Sequence, residues 1–376
     1  MATTRFRHPN SPSMPLPLTT SLIHQGIHDR HHTGAQVSVS INEETVADIA
    51  LGEARPGVPM QTDTLMPWLS CTKPLGAIII GRMLEAGSAD LENPVSRHIP
   101  EFGANGKEGV TLRHLLTHTG GFRLVDFDWQ TESWNEILDR IYDSSLEPGW
   151  VPGEKAGYHK ETGWYVLAEV IQRKTGRAFG DILREDLYEP LEMHDSWVVL
   201  PRERYAAYGD RIGILQDTQE GTRPHEGWDS EAGASICRPG GGGRGPANEL
   251  LHVYEMLLNR GSYHHQEVLK PETAQQLTTR HRIGLFDDTF RHKVDWGLGF
   301  IINSNQYGAR TVPYGFGLHA SPDTFGHGGQ QSSVSFADPV HGLAAVLILN
   351  GTPGEPRHNR RIRDLLTALY EDLDLA

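Results

Sequence analysis

Cysteine is almost missing from this chain, with only Cys71 and Cys237 among 376 residues. That excludes a disulfide framework and a cysteine-built metal cluster. Long apolar runs are missing as well; none approaches the roughly 20 residues that cross a bilayer. Basic residues fall short of acidic ones, 34 against 48, for a formal charge of −14. A surface of that sign disfavours nucleic acid or an anionic membrane as partner. Met1 to Thr20 has two arginines, several prolines and no acidic residue. It lacks the apolar core of a secretory signal, so residues 1–18 read as a flexible tail. Histidine is plentiful, and His24/His28 and His114/His118 repeat an i, i+4 spacing. Neither pair carries the glutamate of a His-Glu-x-x-His site, so no metal is expected. What remains is a cytoplasmic protein acting on a small molecule, with its oligomeric state open.

The two ends of the chain mirror each other. Thr19 to His32 reads as a helix, followed by alternating segments Gln36–Ile41 and Thr45–Leu51 around the turn Asn42-Glu43-Glu44. Near the other end, Ser332–Ala337 and Leu343–Asn350 flank Asp338 to Gly342. A last helix then carries Ile362, Leu365, Leu366, Leu369 and Leu373 on one face. This pattern predicts an α/β fold whose antiparallel sheet is flanked by N- and C-terminal helices. Between the ends, Lys73–Glu85, Leu112–Thr117, Trp134–Tyr142, Thr162–Lys174 and Phe179–Leu187 have helical periodicity. The expectation is an α/β lobe from 19–72 and 205–376, with a mostly helical lobe, 73–204, inserted in it. A cleft between them is the natural place for a site. The Pro239-Gly240-Gly241-Gly242-Gly243-Arg244-Gly245 run lacks the ending of a phosphate loop and reads as a flexible loop beside that cleft.

Ser70-Cys71-Thr72-Lys73 carries the strongest chemical signal. In a helix, positions i and i+3 share a face, so the Ser70 hydroxyl and the Lys73 amine meet. Serine needs a neighbouring base, and lysine serves as one once burial or a nearby cation lowers its pKa. A helix starting at about Ser70, with Pro74 in its first turn, aims its free N–H groups at the hydroxyl. Cys71, on another face, reads as a packed thiol. A second segment, Pro148 to Gly163, presents Tyr158 and Lys160 in alternation. A tyrosine near two ammonium groups has its phenolate favoured and can shuttle a proton. A third, Thr324-Phe325-Gly326-His327-Gly328-Gly329-Gln330, leads into a strand, and its glycines let a substrate approach the backbone.

With these segments, Leu91-Glu92-Asn93-Pro94-Val95-Ser96, Thr111 to Gly121 and Glu189-Pro190-Leu191-Glu192-Met193 follow in order. The chain, from about Ser21 to its end, resembles the serine β-lactamase and penicillin-recognising hydrolases, in the branch of class C β-lactamases, DD-peptidases and family VIII esterases. The resemblance implies a cofactor-free serine hydrolase that forms an acyl-enzyme on Ser70, acting on an ester or, less readily, an amide. Lys73 matches the activating lysine, and Tyr158 the tyrosine that passes protons to the leaving group and to water. His327-Gly328-Gly329 matches the strand element beside the site, and the N–H groups of Ser70 and Gln330 the oxyanion hole. Lys160 stands where the family usually has asparagine. A second ammonium there repels Lys73 or pairs with a substrate carboxylate, and it removes the amide contact used with β-lactams. Acyl transfer to an alcohol or amine is the alternative that uses the same residues, and a non-catalytic binding protein is the rival from another class.

Overall fold

The computed structural model describes residues 15–225 and 227–376. Most of the expected tail therefore lies outside the described residues. Its last four positions are described, and helix α1 (Pro17–His28) takes up the last two of them. No side chain of its own caps that helix; the carboxylate of Asp372, near the other end of the chain, accepts from the N–H groups of Leu18 and Thr19 at 2.9 and 2.8 Å. This satisfies two of the four donors that a helix start leaves open and ties the chain ends together. The helix stops at His28 rather than His32, whose side chain turns inward to the Ile23 carbonyl at 3.2 Å.

Eight strands form one sheet. In chain order they are β1 (Gly34–Ile41), β2 (Glu44–Arg55), β3 (Val58–Pro59), β4 (Asp295–Trp296), β5 (Ile301–Ile302), β6 (Phe325–Gly328), β7 (Ser333–Asp338) and β8 (Leu343–Leu349). Their spatial order is β4-β5-β6-β7-β8-β1-β2-β3, antiparallel throughout. Both predicted hairpins are present, and β1 pairs directly with β8, Val37 opposite Leu347.

The other helices that bear on the site are α2 (Lys73–Glu85), α3 (Leu112–Leu116), α4 (Trp134–Asp143), α5 (Thr162–Thr175), α6 (Phe179–Leu183), α7 (Ala247–Leu258), α8 (Pro271–Thr278) and α9 (Glu355–Asp372). Strand β8 shows how the layers arise. Its residues alternate between faces, so Leu343, Ala345, Leu347 and Leu349 join one core with Ile362, Leu365 and Leu369 of α9. Ala344, Val346 and Ile348 join another with α2, α5 and α7. The sheet is therefore covered on both faces, with the terminal helices on one side. Beyond α6 the chain continues in a wider π-type turn, Arg184–Tyr188, in place of the longer helix expected there. Among the described residues, no helix is long and apolar enough to cross a membrane.

Candidate active site

The Ser70 region departs from a simple helix start. Ser70 sits in a 3-10 turn, Leu69–Thr72, and the α-helix proper begins at Lys73 with Pro74 in its first turn. Leu69 holds φ at 51°, a left-handed conformation that costs a branched residue on the order of 1–3 kcal/mol. The turn is held by the glycine run. Trp68 N–H donates to the Gly243 carbonyl at 2.8 Å, and Gly243 N–H donates to Thr72 Oγ1 at 2.9 Å. A Cβ on Gly243 would stand 2.6 Å from that same Oγ1. These glycines serve close packing, not mobility, which corrects the reading of a flexible loop.

Lys73 is fully buried, and its Nζ donates to Ser70 Oγ at 3.0 Å and to the Gly240 carbonyl at 2.6 Å. Burial lowers its pKa to about 8; the Glu161 carboxylate opposes that shift and the Arg238 guanidinium adds to it. The second cation acting on Lys73 is thus Arg238, where the sequence had suggested Lys160.

Tyr158 lies against the same ammonium, with Nζ 5.2 Å from the ring centre. Its ring stacks on Phe290 at 4.8 Å, and His118 packs against it at 4.7 Å. The backbone is fixed on both sides. Tyr158 N–H donates to Asp287 Oδ1 at 3.1 Å, and its carbonyl accepts from Thr289 Oγ1 at 3.0 Å. Burial pushes the phenol well above its ordinary pKa, and its hydrogen bond with Ser70 only partly opposes that. Tyr158 is a neutral phenol. Burial thus favours the neutral phenol over the expected phenolate.

On β6, His327 is buried with Nδ1 2.9 Å from the Gly328 carbonyl, and burial lowers its pKa to about 3. It packs behind Tyr158, with ring centres 6.0 Å apart. Cys71 donates its thiol proton to the His327 carbonyl at 3.1 Å, as a packed thiol should. A Cβ on Gly329 would meet Ser333 Oγ at 2.1 Å and the Trp68 carbonyl at 2.5 Å, so glycine is required where this strand passes the nucleophile turn.

Ser70, Tyr158, Lys160, Gly328 and Gln330 line one cavity of about 580 Å³; Lys73, His327 and Gly329 stand behind its wall. Phe127, Trp129, Phe290, Ile301 and Tyr314 make much of the rest apolar. Sequence reasoning had not singled these out, nor Glu161 and Arg238. The only signal for the charged pair was adjacency, since Glu161 follows Lys160 and Arg238 precedes the glycine run. Of the i, i+4 histidines, His24 and His28 are exposed on α1, whereas His118 is buried and its Nδ1 accepts from the His159 N–H at 3.0 Å. Among the described residues no cluster of three or more metal-ligating side chains occurs.

Residues 19–369 match the family model described as Beta-lactamase. The esterase EstB of Burkholderia gladioli is 27% identical over 87% of this chain and 88% of its own length. The esterase/beta-lactamase LipL of Mycobacterium tuberculosis is 25% identical over 85% of this chain and 78% of its own. Among solved structures, a penicillin-binding protein homologue from Caulobacter crescentus superposes with a TM-score of 0.77 at 25% identity, covering 95% of this chain and 97% of that one.

Proposed function

We infer the chemistry from one premise: this chain belongs to the beta-lactamase family. It is a serine hydrolase. Ser70 is the nucleophile, and the substrate is a carboxylic ester of a small molecule with an apolar acyl or alcohol group. The observation that carries this reading is the buried Lys73 amine 3.0 Å from the Ser70 hydroxyl. Neutral Lys73 takes the hydroxyl proton as Ser70 Oγ attacks the carbonyl carbon. The oxyanion that forms is met by the backbone N–H groups of Ser70 and Gln330, two residues of the same cavity wall. As the ester C–O bond breaks, the Tyr158 phenol gives its proton to the departing alkoxide and recovers one from the Lys73 ammonium. Water enters by the same route in reverse. Tyr158 passes its phenolic proton to neutral Lys73 as it takes one from the water, the hydroxide attacks the acyl carbon, and Ser70 leaves with the proton that Lys73 then returns. The apolar and aromatic walls of the cavity support the choice of an apolar substrate group.

The test is intact mass after brief exposure to an activated short-chain ester and to a fluorophosphonate, beside Ser70→Ala. The wild type gains one acyl or phosphonyl group and turns the ester over; Ser70→Ala does neither. An adduct that persists in Ser70→Ala places the nucleophile elsewhere. Products formed with an alcohol present identify the acyl acceptor, and free acid is the product expected of hydrolysis.

A further inference from the structure

Glu161 has one carboxylate oxygen with a partner and one without. Oε1 accepts from Arg238 Nη2 at 3.1 Å, whereas Oε2 is buried with no hydrogen-bond donor among the described residues. That bare oxygen faces the catalytic lysine. A Cβ placed on Gly240 would lie 2.6 Å from Glu161 Oε2 and 3.2 Å from Lys73 Nζ, so one small volume touches both groups. Only a glycine leaves the line between them open. Arg238, which also lines the cavity, is held in place. Its guanidinium lies 4.1 Å from the centre of the Trp129 ring and 5.3 Å from that of Trp228, and it is held by Glu161. The site thus contains a fixed carboxylate and a fixed guanidinium, both beside the base and neither used in the acylation steps.

We propose that the Glu161–Arg238 pair is a positioning device that sets the charge on Lys73, with Glu161 holding its proton and Arg238 loosening it. This rests on the reading of Ser70 as nucleophile and Lys73 as its base. The groups that face Lys73 leave this pair as the variable element. From its own turn comes the Cys71 thiol, which burial keeps protonated. Tyr158 is a neutral phenol. His118 from the loop after α3 and His327 from β6 are both buried and held neutral. Glu161 at the start of α5 and Arg238 before the glycine run are the charged ones. A carboxylate favours the ammonium and a guanidinium disfavours it. Because Lys73 acts as base only when neutral, the two charges decide where on the pH scale acylation switches on.

The experiment follows burst-phase acylation by a p-nitrophenyl ester across pH in the wild type and four variants. Glu161→Gln removes the negative charge, so the acidic limb moves down by about one pH unit. Arg238→Met removes the positive charge and releases Glu161 toward Lys73, so the limb moves up by a similar amount. The double variant returns near wild type. Arg238→Lys keeps the charge and keeps the limb near its wild-type position. Limb position does not depend on how much of a variant is folded, so partial misfolding leaves the comparison intact. Shifts in the same direction, or no shift while Ser70 is still acylated, overturn the proposal. A wild type with no adduct on Ser70 overturns the nucleophile reading beneath it and the proposal together.

Discussion

Lys160 shows what a single residue can and cannot reveal. It is exposed at the cavity wall and, among the described residues, has no hydrogen bond or ion pair. Its neighbour His159 points the other way, with Nδ1 2.8 Å from Thr162 Oγ1, as alternation in an extended segment requires. An unpartnered ammonium two residues from Tyr158 is placed to meet a carboxylate on the substrate. An exposed pair of this kind is worth a few tenths to about 1 kcal/mol, so Lys160→Asn raises KM about threefold for a half-ester of a dicarboxylic acid. A neutral ester of the same size is unaffected, and kcat stays within about twofold for both. Equal effects on the two esters would remove Lys160 from recognition. The positions of Ser70, Lys73, Tyr158 and Lys160 were legible because each lies in a short motif with its own local geometry. Glu161 and Arg238 were not. Their meaning depends on the Gly240 backbone coming against Lys73 across 167 residues, a contact no local pattern encodes.

At the scale of elements, the termini were the readable part. Alternation in β1, β2, β7 and β8 and the apolar stripe of α9 fix the sheet and one of its layers. The segment that holds Tyr158 was not readable, because it has no periodicity. It is anchored by Asp287, whose Oδ1 accepts from the N–H groups of Tyr158, Thr289 and Phe290 at 3.1, 2.9 and 3.0 Å. Its Oδ2 accepts from Arg282 Nη2 at 3.0 Å, and both side chains are within 1% of fully buried. Arg282 also donates to the Thr117 and Val294 carbonyls, at 3.0 and 2.8 Å through its two Nη atoms. The pair therefore joins the loop after α3, the Tyr158 segment and the stretch before β4. Removing one partner leaves an uncompensated buried charge, which costs on the order of 3–5 kcal/mol. Asp287→Ala is thus expected to lower unfolding free energy by about that amount in urea titration, and to slow acylation by more than Thr289→Ala does. A loss under about 1 kcal/mol would mean that water or another acceptor replaces the carboxylate.

The whole molecule carries an acid sensitivity that follows from its histidines. His32, His118, His159, His327 and His358 are buried, and burial lowers the pKa of each, to about 3 for His159 and His327. The partners of three of them require the neutral form. Arg361 donates to Nδ1 of His32 at 3.0 Å and of His358 at 3.3 Å, and His118 Nδ1 accepts a backbone N–H. In the unfolded chain these rings take up protons below an ordinary pKa of about 6.5. Between that value and their folded pKa the unfolded state therefore binds more protons, and stability falls as pH falls. Each ring costs about 1 kcal/mol by pH 5.5, so together they lower Tm by roughly 10 °C relative to neutral pH. Asp229 works against this, since burial raises its pKa to about 6 and favours folding as it protonates. Burial raises the pKa of Asp48, Glu249 and Glu255 in the same sense, which reduces the net fall. Lys73 adds a trend at the other end, because its pKa of about 8 in the folded protein lies below the ordinary 10.5. Its burial costs less stability as pH rises above about 8, the same direction in which the proposed base becomes neutral. Stability and acylation thus both favour mildly alkaline solution. Scanning calorimetry from pH 5 to 8.5 tests this: Tm should fall steeply below about 6.5, with net proton uptake on unfolding. A flat Tm between pH 6.5 and 5 would show that these rings take up protons equally in the folded and unfolded protein, and would overturn the prediction.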